Sequence, residues 1–136
     1  MKEKAAAMWK DDDFSGPASE WHAGSYFLKK LLEYQQQQGE LSIDLVGHSA
    51  GSIVICELIK KLAAAGIPLQ FRNILFLAPA CRCDLFADAV LKHPERFQRF
   101  RIFTMQDIYE TKTGWQPRYT PDPSFTLSPV YWKAGY

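Results

Sequence analysis

At 136 residues, with 47% hydrophobic and 23% charged content, the chain has the size and make-up of one soluble globular domain. A formal net charge of +1 gives no basis for binding nucleic acid or an anionic membrane, so neither is expected as a partner. Three cysteines make no disulfide framework, which fits a reducing compartment and makes cytoplasmic residence the expectation.

In chain order, Lys2 and Lys4 ahead of Ala5-Ala6-Ala7-Met8 have the opening of a signal peptide, but Lys10-Asp11-Asp12-Asp13 ends the apolar stretch too early for one. With Ser15-Gly16-Pro17 behind them, residues 1–18 read as an irregular N-terminal segment. Ser19 and Glu20 then start a helix whose apolar face is Trp21, Phe27, Leu28, Leu31 and Leu32, fading through Gln35 to Gln38 into Gly39. The branched run from Leu41 to Val46 reads as a mostly buried strand. Gly47-His48-Ser49-Ala50-Gly51 follows it directly. Ile53, Val54, Leu58, Ile59 and Leu62 next recur at helical spacing, Cys56 lies on their apolar side as a packing residue, and Gly66 with Pro68 supplies the stop.

Asn73 to Ala78 is a second buried strand, left through Pro79. The longest apolar run, Ile74 to Cys81, is too short for a bilayer and holds a proline. Cys81 and Cys83 lack the second pair or histidine cluster a metal site needs, so no metal or other cofactor is expected. Asp84 can cap a helix through Leu85, Phe86, Ala89, Val90 and Leu91, which His93-Pro94 interrupts, and Arg101 to Met105 supplies a third strand. Past Thr111, prolines and aromatics follow no period, and residues 112–136 read as an irregular tail. Strands alternating with helices imply right-handed crossovers and a parallel sheet, hence an α/β fold.

The chemistry is concentrated in the G-x-S-x-G pentapeptide, because a sharp strand-to-helix turn lifts a serine clear of the backbone. Ser49 is the candidate nucleophile. Gly47 and Gly51, lacking Cβ atoms, are expected to let strand and helix pass closely on either side of it. The helix start aims its dipole and the Ala50 N–H at the reacting centre, as an oxyanion donor must. His48, beside the nucleophile within the elbow, projects away from it and reads as structural.

Through Ile43-Asp44-Leu45-Val46-Gly47-His48-Ser49-Ala50-Gly51-Ser52 and the flanking strand and helix, the chain resembles the α/β-hydrolase family. Ala78-Pro79-Ala80-Cys81 with Asp84-Leu85-Phe86, and Phe103-Thr104-Met105 with Asp107, resemble a bacterial branch of uncharacterised members of it. The likeness covers about residues 19–111 and implies a three-layer core, about three parallel strands with helices on both faces. It implies a serine hydrolase of esterase or lipase type acting on a small-molecule acyl substrate. In such enzymes the acid and then the base histidine follow the nucleophile along the chain. Asp107, just past a strand end, fits the acid, with Asp84 and Glu110 as alternatives.

No histidine follows Asp107, so the base is unassigned; His22 and His93 are the other candidates, within the chain or from a second subunit. A second oxyanion donor from an early strand–loop is also missing. The resemblance therefore implies a truncated or partial member, whose open sheet edges invite self-association. The alternative function is a catalytically incompetent fragment or a binding module that keeps the architecture without the base.

Overall fold

The computed structural model describes residues 2–104 and 132–133. Three parallel strands form one sheet with helices around it, which is the α/β class expected from the alternation of elements. They are β1 (Asp44–His48), β2 (Phe71–Leu77) and β3 (Phe97–Phe103), in the order β1-β2-β3. Leu45 lies opposite Ile74 and Ile74 opposite Phe100, while Gly47 lies opposite Phe76 and Phe76 opposite Ile102. Period-two alternation puts these six residues on one face of the sheet. Ile74, Phe76 and Phe100 are buried there.

That face receives α3 (Gly51–Ala64), the helix joining β1 to β2, whose Ile55, Cys56, Ile59 and Leu62 are buried against it. Gly66 at φ 64° ends the helix region, since glycine alone adopts this conformation without steric cost. The Arg96 guanidinium donates to the carbonyl of Ile67, just beyond α3, and to that of Leu62 in the last turn of α3, which also accepts the Ile67 N–H at 3.0 Å. Between β2 and β3 a short helix α4 (Cys83–Phe86) continues through a π-helical turn, Ala87–Leu91. Phe86 of α4 packs on Phe76 and Phe100 with ring centroids 6.3 and 5.4 Å apart. The opposite face carries Val46 and Phe103, 62% and 53% exposed.

Ahead of β1, α2 (Ala23–Gln38) buries Leu28 and stops at Gly39, whose φ is 85° and whose N–H donates to the Gln35 carbonyl. Phe27, expected on its apolar face, is exposed instead. The N-terminal segment departs from the irregular reading of residues 1–18: Lys2–Ala7 form α1, and Ala5 and Trp9 belong to the core. A Cβ on Gly24 of α2 would stand 2.7 Å from both the Met8 carbonyl and the Trp9 ring, so glycine there is what admits the segment. Six residues of alanine-rich helix are too few to display a period.

The tail also departs from its irregular reading at the two positions described. Trp132–Lys133 form β4, antiparallel to β3 with Phe100 opposite Trp132 and Arg99 opposite Lys133. A two-residue strand offers no alternation to read. Among the described residues β1 pairs with β2 alone, leaving its outer edge open. No described helix is long and apolar enough to cross a membrane.

Candidate functional site

β1 ends at His48 and α3 begins at Gly51, so only Ser49 and Ala50 turn the chain from strand to helix. Ser49 takes φ 49° to do it. A non-glycine residue in the left-handed region carries strain of about 1–2 kcal/mol, which persists only where surrounding bonds hold it. Those bonds are present. The Ser49 N–H donates to the Leu77 carbonyl at 3.0 Å, and the Ser49 carbonyl accepts from the Ser52 N–H at 3.1 Å, the Ser52 hydroxyl at 2.7 Å and the Ala80 N–H at 3.1 Å.

The Ser52 side chain is the pivot of this arrangement. It is fully buried in the first turn of α3, donates to Ser49 and accepts the Cys81 N–H at 3.2 Å. One hydroxyl thus ties the elbow to the loop that leaves β2. That loop begins with a second strained residue, Ala78 at φ 42°, whose N–H donates to the Phe103 carbonyl at 2.7 Å. The C-terminal ends of all three parallel strands are joined in this way, at the end of an α/β sheet where sites form.

The elbow glycines divide their work unequally. A Cβ on Gly47 would lie 2.9 Å from Gly51 C, from Ser52 N and from Ile55 Cδ1, so β1 and α3 approach as closely as they do because position 47 has no side chain. A Cβ on Gly51 would meet nothing within 4 Å. This corrects the expectation that both glycines relieve crowding: at the first position of the helix a side chain points to open space. Ala50 takes φ −61° and ψ −20° as the residue preceding α3, and its N–H has no acceptor among the described residues. Ser49 and Ala50 are both partly exposed, and His48 is exposed. An apolar cavity of about 220 Å³ opens beside Ala50, between α1 and α3, lined by Lys4, Ala5, Met8, Ala50, Ile53 and Val54.

The histidines outside the elbow lie toward the other end of α3. With 14 residues that helix is about 21 Å long. Asp11 pairs with Lys61 in its last turn, and the next residue, Asp12, accepts from the His22 N–H at 2.9 Å and faces His22 Nδ1 at 3.2 Å. N–H donation from Phe14, then from His22, holds the Asp12 carboxyl below its usual range. His93 lines a surface depression with Lys60, Ala63 and Ala64, and its Nδ1 lies 3.4 Å from Glu95 Oε1. Neither histidine is brought to Ser49.

Of the acid candidates, Asp84 is engaged locally: its Oδ1 accepts from the Leu85 N–H and from Arg82 Nε, each at 2.9 Å. Asp107 and Glu110 lie outside the described residues. Among the described residues no group of histidine, cysteine and acidic side chains could hold a metal ion. Ser52 was not a sequence candidate for the site, because its role depends on a loop from another strand returning to it.

A parallel sheet whose first described strand turns through a strained serine into a helix packed on that sheet defines an α/β-hydrolase fold. The chain belongs to a family of alpha/beta hydrolases of unknown function (DUF900), whose model matches residues 19–108. No curated protein and no solved structure matches it.

Proposed function

We propose that the protein is a serine hydrolase of small acyl esters with Ser49 as nucleophile. The observation that carries the reading is the Ser49 backbone, strained at φ 49° and held by four hydrogen bonds from three segments. The Ser49 hydroxyl oxygen attacks the ester carbonyl carbon while its proton passes to a base. The oxyanion so formed accepts a hydrogen bond from the Ala50 N–H, and its collapse breaks the ester C–O bond as the base passes the proton to the leaving alcohol. Water, giving a proton to the same base, then attacks the acyl carbon, and the acyl–Ser49 bond breaks as the base returns the proton to the Ser49 oxygen. The apolar cavity beside Ala50 suits the acyl group, and Asp107 is the acid that orients the base.

Turnover of a short-chain nitrophenyl ester by the full chain tests this reading. Turnover that Ser49→Ala abolishes is the expected result, and turnover unchanged by that substitution overturns it. A non-catalytic binding module is the second reading. It is favoured by His22 and His93, each set against a local carboxylate away from Ser49, and it expects no turnover from either protein.

A further inference from the structure

Cys56 and Cys81 are remote in sequence and adjacent in space. Cys56 is wholly buried on α3, one turn beyond Ser52 on the same helix face, and Cys81, partly buried in the loop after β2, packs against the core cluster that contains Cys56. The Cys81 N–H is fixed at 3.2 Å by the buried Ser52 hydroxyl, so the loop is held against α3 one turn from Cys56. Cys83, two residues on, is exposed and provides an internal comparison. We propose that Cys56 and Cys81 are an oxidant-sensitive thiol pair, with a small hydroperoxide as substrate, that closes to a disulfide stapling the loop after β2 to α3 behind the serine elbow.

Burial decides the order of events. A small oxidant reaches Cys81 and not Cys56, so Cys81 reacts first. Its thiol is drawn below the ordinary value by the Cys56 thiol and more weakly by Ser52, with burial opposing, whereas contact with Cys81 and burial push the Cys56 thiol up. Glu57 and Lys60 are the charged side chains that act on Cys56, with opposite signs.

The Cys81 thiolate attacks one oxygen of the hydroperoxide. The O–O bond breaks, the remaining oxygen leaves as an alcohol or water after protonation, and Cys81 becomes a sulfenic acid. The Cys56 sulfur then attacks the Cys81 sulfur. The S–S bond forms as the S–O bond breaks, and hydroxide leaves with the Cys56 proton as water. Ala80 and Ser52 both bond the Ser49 carbonyl, so the staple is made one residue from the contacts that hold the elbow.

The test treats the full chain with hydrogen peroxide, blocks remaining thiols with iodoacetamide and maps the linked peptides by mass spectrometry. A Cys56–Cys81 peptide as the dominant disulfide, lost on reduction, is expected. It should persist in Cys83→Ser and vanish in Cys81→Ser. In Cys56→Ser the Cys81 sulfenic acid should accumulate and be trapped by dimedone; should that core variant fail to fold, Cys83→Ser decides. A dominant Cys81–Cys83 disulfide, oxidation confined to Cys83, or no linkage in the native chain overturns the proposal. The readout is at sulfur, so it stands or falls independently of Ser49 chemistry.

Discussion

The two ends of the parallel strands are built on different physics. At the C-terminal end, Ser49 and Ala78 are strained, and bonds from α3 and from neighbouring strands hold them. At the N-terminal end, Asp44 of β1 accepts from Arg72 Nε at 3.0 Å and Asn73 Nδ2 at 2.7 Å, side chains of the adjoining strand on unstrained backbone. The second arrangement pins strand register at the surface. The first stores strain around one hydroxyl, a cost that a purely structural turn could have avoided with glycine.

Substitutions at the two ends should separate accordingly. The largest effect is expected for Gly47→Ala, because the new methyl would lie 2.9 Å from two backbone atoms of α3. About 3 kcal/mol of destabilisation by chemical denaturation is expected, with loss of Ser49 reactivity. Ser52→Ala leaves the Cys81 N–H without its buried acceptor and frees the Ser49 carbonyl of one donor. It should cost about 2 kcal/mol in the same measurement.

Strain itself is read by comparing two substitutions at one site. Ser49→Gly should be more stable than Ser49→Ala by about 1 kcal/mol, since glycine adopts the left-handed backbone freely. Equal stability would mean that the elbow is relaxed. The smallest effect belongs to the other end. Hydrogen bonds from Arg72, then from Asn73, hold the Asp44 carboxyl at about 2, below its ordinary 3.8. A carboxyl lowered by folding contributes stability that is whole above 3.8 and is lost as the pH falls toward about 2. Asp44→Asn should therefore flatten the acid limb of stability against pH in that window and leave neutral-pH labelling of Ser49 unchanged.

What the sequence disclosed follows the same division. The strand, elbow and helix around Ser49 were legible because branched residues, two glycines and a helical period stand side by side in the chain. Ser52 was not legible, since its hydroxyl acquires a role only when Ala80 and Cys81 return from β2 to meet it. Gly51 was misread for a related reason: spacing placed it at the elbow, while only three-dimensional geometry tells a crowded Cβ direction from an open one. α1 escaped notice because Ala5-Ala6-Ala7 carries helix propensity without a face. The parallel sheet was foreseen in class, yet β4 rests on two residues drawn from far along the chain.

The most direct test of the central proposal, that the partly exposed Ser49 of the strained elbow is the nucleophile, is labelling of the full chain with a fluorophosphonate probe followed by peptide mapping. A single adduct on the Ser49 peptide, absent in Ser49→Ala, is the result expected. Equal labelling of both proteins, or an adduct on another residue, would contradict the account.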